Sequence, residues 1–278
     1  MYKIAVIGAG QLSSRHLQGL KLSKLKSDIW VVDNNPNSLQ IAQQRYEEGE
    51  VNSNQTIYYL QLIEQLPTEL DLVVIATSSK PRLTILKSLL AKVKVANIIL
   101  EKFLFTGLAD YDEAAQLLQI NHVNVWVNCP RRLFDFYVEI DSMIDKQKPL
   151  VMEYTDSNWG LCCNSIHMID IFMMLSGEKA YIADFSGIIK KYPSRNIKTN
   201  VFYYFFKKKK RFVCLCKMIR QSGQTSLICQ YEIIYLSIMN MKEKNAKKSK
   251  IHQLGFSFLK RESNYLDRQR QAILACFS

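Results

Sequence analysis

The chain has 278 residues, 48% of them hydrophobic, so it can bury a sizeable core in one large or two modest domains. No apolar run is long enough to cross a bilayer, and Met1-Tyr2-Lys3 leads straight into Ile4-Ala5-Val6-Ile7 without the parts of a secretory signal. Seven scattered cysteines without a C-x-x-C pair fit reduced thiols of a cytoplasmic protein better than a disulfide frame or a zinc site, and no other ligand-spaced metal cluster is readable. Residues 178–278 hold 21 of the 37 Lys+Arg and 6 of the 25 Asp+Glu, a net of +15 against −3 for the rest. A basic half can meet nucleic acid or an anionic membrane, or simply form a solvated face.

In chain order, β-rich runs alternate with helical patterns. Strands are predicted at Lys3–Ile7, Asp28–Val32, Ile57–Tyr59, Leu72–Ala76, Asn97–Leu100 and Asn124–Val127. Helices are predicted between them at Ser13–Lys24, Asn37–Glu47, Pro81–Lys92 and Tyr111–Gln119. Continuous apolar strands alternating with helices imply a parallel sheet covered on both faces, and right-handed crossovers make it a doubly wound α/β Rossmann sheet. The sheet pattern ends near Asn128–Pro130, so residues 1–127 read as a dinucleotide-binding domain and 128–278 as a second domain.

The first strand runs into Gly8-Ala9-Gly10-Gln11-Leu12-Ser13, and a helix follows. This is G-x-G-x-x-S, one step from the dinucleotide fingerprint. Gly8 allows the tight turn, Gly10 lets the backbone approach a pyrophosphate, and Ser13 is small enough for close helix–strand packing. The helix N-terminus supplies free N–H groups for the phosphates. Asp33 ends the second strand, where an acid binds the ribose 2′-OH and repels a 2′-phosphate, which favours NAD over NADP. The alternative for Asp33 is a turn residue in Asp33-Asn34-Asn35-Pro36.

Further segments complete a resemblance. They are Val6-Ile7-Gly8-Ala9-Gly10 with Arg15-His16-Leu17, then Val74-Ile75-Ala76-Thr77, Glu101-Lys102 and Arg131-Arg132. The last runs from Trp159-Gly160 through Ser165-Ile166-His167-Met168-Ile169-Asp170 to Leu175-Ser176-Gly177. Together they resemble the glucose–fructose oxidoreductase / inositol dehydrogenase family of NAD(P)-dependent oxidoreductases over residues 1 to about 177. The resemblance implies a Rossmann domain followed by an α+β domain with a mainly antiparallel sheet, which often forms the subunit contact and so a homo-oligomer. It implies Lys102 as the catalytic lysine and Thr77 and Glu101 as cofactor-binding residues beside Gly8, Gly10, Gln11, Leu12, Ser13 and Asp33. It also departs from the family: Phe103 stands where a proline usually follows the Glu-Lys pair, and Cys163 where an aspartate usually precedes the catalytic histidine by four residues.

Oxidation of a sugar or polyol hydroxyl needs a hydride acceptor and a group that takes the hydroxyl proton. Lys102 ends a central parallel strand, where open α/β sheets bind ligands. His167, near the start of the apolar helix Ser165–Leu175, is a candidate acid or base, and Asp170, one turn on, a candidate orienting partner. His16 reads as packing and loop support. Arg131 and Arg132 read equally as clamps on a polar substrate or as surface ion pairs. The expected function is hydride transfer between a nicotinamide and a sugar, sugar-nucleotide or polyol carbon. The alternative is a non-catalytic or degenerate dinucleotide-binding protein, and nucleic-acid binding is disfavoured despite the basic tail.

The tail departs from the family. Asp184–Lys190, Asn200–Phe206 and Phe212–Lys217 have β-rich composition. Lys207–Arg211 is then an unbroken basic run, and Met241–Lys250 reads as a solvated helix or loop. Two readings stand for the region after about residue 218: a truncated sheet, with a tail resembling out-of-frame translation, or a diverged but folded domain. On the first, the sheet ends at about 212–217; on the second, it continues past Tyr235 with a buried apolar face.

Overall fold

A computed structural model describes residues 1–50, 52–146, 150–156 and 161–177, with the backbone of strands 182–184, 201–208, 210–218, 231–238 and 252–259. The chain divides into two compact units, one containing Met1–Leu133 and the other spanning Phe134–Arg261.

The first unit alternates strands and helices: β1 Tyr2–Ile7, α1 Gln11–Lys21, β2 Ser27–Val32, α2 Pro36–Glu47, β3 Gln55–Leu60, β4 Glu69–Ile75, α3 Ser79–Leu90, β5 Lys94–Glu101, α4 Leu108–Ile120 and β6 Asn124–Asn128. Its six strands are all parallel, in the order β3-β2-β1-β4-β5-β6. The order reverses between β1 and β4, and ligands of open α/β sheets bind outside the carboxyl ends of such strands.

Period-two alternation builds two cores from one strand. In β1, Ala5 and Ile7 join the face that holds Leu86 and Leu89 of α3 and Leu118 of α4. Ile4 and Val6 join the opposite face, with Leu17 and Leu20 of α1 and Ala42 of α2. This is why the central strands read as continuous apolar runs. Helix α2 starts on a local signal: Pro36 opens its first turn, and the Asn35 side chain accepts the Asn37 N–H at 3.0 Å.

Helix α1 begins at Gln11 rather than at the expected Ser13, because Gly10 itself is the N-cap. It ends at Lys21, and α3 likewise starts two residues before the expected Pro81. Val125, Trp126 and Val127 of the edge strand β6 stay exposed.

The second unit holds α5 Asp135–Met143, β7 Val151–Asp156, α6 Leu161–Ser176, β8 Ile182–Asp184, β9 Val201–Lys208, β10 Lys210–Met218, β11 Tyr231–Ile238 and β12 His252–Leu259. Its sheet runs β12-β11-β7-β10-β9-β8, with β10 parallel to β7 and the other pairs antiparallel. Tyr137 and Ile140 of α5 share a core with Met152 of β7 and Met168, Ile171, Phe172 and Leu175 of α6.

Strands β9 and β10 overlap two runs read from composition, and of Asp184–Lys190 only Asp184 lies in a described strand. Strands β11 and β12 extend the sheet beyond Lys217; the burial of their faces, and residues 241–250, lie outside the described residues. Among the described residues no helix is long and apolar enough to cross a membrane.

Leu72 of β4 is fully buried. Leu72→Ala should destabilise the protein by about 2–5 kcal/mol, through lost burial and the cavity left behind. Urea unfolding followed by tryptophan fluorescence measures this, and an unchanged midpoint would refute the placement of Leu72 in the core.

Candidate dinucleotide and catalytic site

The loop between β1 and α1 adopts a backbone that its glycines permit. Gly8 has φ +103°, and a Cβ there would meet Ser13 Oγ at 3.1 Å and the Ala76 carbonyl carbon and oxygen at 3.3 Å. Any other residue at this position would carry a strained φ and a tight contact to which its neighbours must yield. Gly10 is different: its φ is −70°, and a Cβ would meet nothing within 4 Å. The fold does not need glycine at Gly10, so its small size serves the open space beside it.

That space lies at the N-terminus of α1. No side chain caps this helix end, and no acidic residue sits in its first turn. The first backbone N–H groups of a helix have no intrahelical acceptor, and they carry the positive end of its dipole. Gln11 is exposed, Leu12 half-buried and Ser13 fully buried, its Oγ 3.4 Å from the Ala76 carbonyl oxygen. Ser13 therefore acts as the small packing residue that its place in the fingerprint calls for.

Asp33, just after β2, turns its carboxylate toward this loop. Oδ2 accepts the Ala9 N–H at 2.7 Å, and Oδ1 accepts the Asn35 N–H at 2.8 Å. The second bond is the turn contact weighed from sequence; the first ties Asp33 to the glycine loop. Each oxygen of a carboxylate keeps capacity for another donor.

At the ends of β4 and β5 the chain buries charge. Glu101 is 2% exposed, and its Oε1 accepts from His16 Nε2 of α1 at 2.7 Å and from the Asn128 side-chain amide of β6. A carboxylate only accepts, so Nε2 carries the proton in this contact. Lys102 follows Glu101 directly, and its ammonium lies over the Phe103 ring, 5.8 Å from the centroid. The Lys102–Phe103 peptide bond is cis.

Arg82 of α3, 1% exposed, donates through Nη1 to the carbonyls of Glu101 at 2.6 Å and Leu104 at 2.8 Å, and also to that of Phe103. Its Nη2 donates to the Thr77 carbonyl. Burial works against the Arg82 charge, while the Glu101 carboxylate and Tyr111 favour it. Four buried polar atoms here, His16 Nδ1, Thr77 Oγ1, Arg82 Nε and Asn128 Oδ1, have no hydrogen-bond partner among the described residues. A bound polar group at this edge would satisfy Thr77 Oγ1 and Asn128 Oδ1.

The first unit thus gathers Gly8, Gly10, Gln11, Leu12, Ser13, Asp33, Thr77, Glu101 and Lys102 along the carboxyl ends of β1, β2, β4 and β5. His167 and Asp170 belong to the second unit, where α6 places them one turn apart, His167 buried and Asp170 half-buried. Cys163 lies on the same helix, with its side chain outside the description. Arg131 and Arg132 sit in the single helical turn Pro130–Leu133.

Arg82 and Asn128 were not singled out from the sequence. A signal for Arg82 exists: with Leu86 and Leu89 it falls on one helical stripe, and all three are buried.

The contact between His16 and Glu101 gives a direct test. His16→Ala removes one of two donors to a buried carboxylate and should cost about 1–3 kcal/mol. Thermal unfolding measures the change, and an unaltered midpoint would show that the contact contributes nothing to stability.

Comparison with known proteins agrees with this geometry. Residues 2–129 match the family described as Oxidoreductase family, NAD-binding Rossmann fold. No curated protein matches the sequence. Among solved structures, myo-inositol 2-dehydrogenase from Lactobacillus plantarum is similar with a TM-score of 0.65 at 13% identity, over 99% of this chain and 88% of that one. GenD2 from gentamicin A biosynthesis, solved in complex with NAD, gives 0.69 at 12% identity over 99% and 85% of the two chains. The transcriptional regulator Gal80p from Kluyveromyces lactis gives 0.65 at 11% identity over 98% and 82%. At such identities the likeness is one of fold. The fingerprint loop, the strand order and the family match agree: residues 2–129, just under half of the chain, match the model of an oxidoreductase family with an NAD-binding Rossmann fold.

Proposed function

We propose that the protein is an oxidoreductase that binds NAD and transfers a hydride between the nicotinamide and a carbinol carbon of a sugar, sugar nucleotide or cyclitol. The observation that carries this reading is the Gly8–Ser13 loop. Gly8 is required by the chain's own backbone, while Gly10 borders open space at an uncapped helix N-terminus.

The backbone N–H groups of Gln11, Leu12 and Ser13 hold the pyrophosphate, and Gly10 leaves room for it. Asp33 takes the adenosine ribose hydroxyls, and its negative charge disfavours a 2′-phosphate, so NAD is preferred over NADP. Thr77 offers its buried hydroxyl, and Glu101 anchors that edge from below through His16 and Asn128. The nicotinamide supplies the hydride acceptor.

Lys102 holds the substrate oxygen and takes the hydroxyl proton as the carbonyl forms. His167 is the candidate acid or base of the proton relay, and Asp170 its orienting partner. Cys163, in place of an aspartate, removes one carboxylate from that relay.

A second reading follows from Cys163 and from the regulator among the structural neighbours: a dinucleotide-binding protein without turnover. Partners other than small molecules, and self-association through the second sheet, are secondary proposals that size-exclusion chromatography addresses.

Gly10→Val should abolish NADH binding in calorimetric titration while leaving the unfolding temperature within about 2 °C of wild type. Gly8→Ala, by contrast, should destabilise the fold by about 1–3 kcal/mol. If the wild type binds neither NADH nor NADPH at millimolar concentration, the reading is wrong. Asp33→Ala should erase the preference for NADH over NADPH; an unchanged preference removes Asp33 from its role.

Turnover is sought by NADH fluorescence against a panel of polyols, sugars and sugar nucleotides. Lys102→Met and His167→Ala should each lower kcat at least about a hundredfold. A turnover that survives both substitutions would defeat the catalytic assignment. NADH binding without turnover on any substrate would favour the second reading.

A further inference from the structure

We propose that Arg82 is a positioning residue for Lys102, setting the backbone from which the lysine acts. The proposal rests on the reading of Lys102 given above, and it concerns a residue that touches neither substrate nor cofactor. Arg82 lies on the apolar stripe of α3 with Leu86 and Leu89, where a leucine would be the ordinary occupant. The two terminal nitrogens of its guanidinium donate to backbone carbonyls: Glu101, Phe103 and Leu104 through Nη1, and Thr77 through Nη2, while the buried Nε has no hydrogen-bond partner among the described residues.

The Glu101 carbonyl ends β5, the other three acceptors lie in the loops that follow β4 and β5, and none belongs to the helix that carries the arginine. Three of them flank Lys102 on both sides in sequence. Carbonyls that converge on one buried point repel each other and need donors. A planar fork with five N–H groups fits such a set; an ammonium is a point donor with three protons and cannot reach two loops in the same way.

The other side of the segment is held too, through the Glu101 carboxylate on His16 and Asn128. The lysine loop is therefore gripped by backbone after Lys102 and by side chain before it. Arg82 also joins Thr77, proposed above to face the cofactor, to the lysine loop. One side chain fixes the spacing between the two strand ends that hydride transfer must align, and small misplacement there is costly to rate.

The test uses Arg82→Lys and Arg82→Met in the full chain. Native-state chymotrypsin digestion, mapped by mass, reports opening of the loop at Phe103–Leu104. Tyr58 and Trp126, about as exposed as Phe103, serve as internal controls. Cleavage after Phe103 should rise about tenfold in Arg82→Lys, with the controls unchanged.

NADH affinity, set by the glycine loop, should stay within about threefold, and kcat should fall about ten- to a hundredfold with little change in cofactor KM. Unchanged cleavage after Phe103, or an equal rise at all three places, overturns the proposal. So does failure of both variants to fold, which would assign Arg82 to the fold alone. Should the wild type turn over no substrate while local cleavage rises as expected, the oxidoreductase reading fails and the hold of Arg82 on the lysine loop stands.

Discussion

A carboxylate removed from water must find donors or lose its charge, and Glu101 meets that demand by drawing three elements together. His16 comes from the helix that follows the glycine loop, and Asn128 from the last strand of the parallel sheet. The contact thereby ties the helix end suited to phosphate to the strand end that carries Lys102. Removing either donor leaves a buried charge undersatisfied, so the geometry of the edge is fixed by electrostatic necessity as well as by packing. Arg82 extends the same logic with the opposite sign, since its buried cation donates to carbonyls at the ends of the two strands it joins.

The two loop glycines show how one motif serves two different constraints. Gly8 is demanded from within, because its φ and its contact with Ser13 and Ala76 exclude a side chain. Gly10 is demanded by nothing in the chain itself. The space beside Gly10 lies at a helix end that no side chain caps, where the proposed dinucleotide phosphates would fit. Thr77, Lys102 and Phe103 lie at the neighbouring strand ends. Phe103 places an aromatic face beside the Lys102 ammonium, which a proline at that position would not supply.

The Rossmann half was legible because its central strands are buried on both faces, and burial of that kind leaves unbroken apolar runs such as Leu72–Ile75. The glycine loop was legible because its requirements are local: a turn, a close approach and a helix start within six residues. Helix α5 and strand β7 were not read. Both are short, at 9 and 6 residues, so periodicity had little length over which to register. Strands β11 and β12 were obscured by the lysine-rich stretch between them, which carries no sheet pattern of its own.

The sequence by itself determined the alternation of strand and helix, the glycine loop and the acidic residue after the second strand, because each is enforced by neighbours close in the chain. Only the tertiary structure decided where the charges go. Glu101, expected from resemblance to meet the cofactor, is buried and held by His16, 85 residues away in the chain. Arg82, which as a charged helical residue reads as solvated, is turned inward to bind the carbonyls of two loops. Such partners are chosen by a crossover of parallel strands, which brings residues from distant segments to one edge of the sheet. Local pattern holds no record of that choice, because burial of a charge depends on acceptors and donors that only the folded sheet assembles.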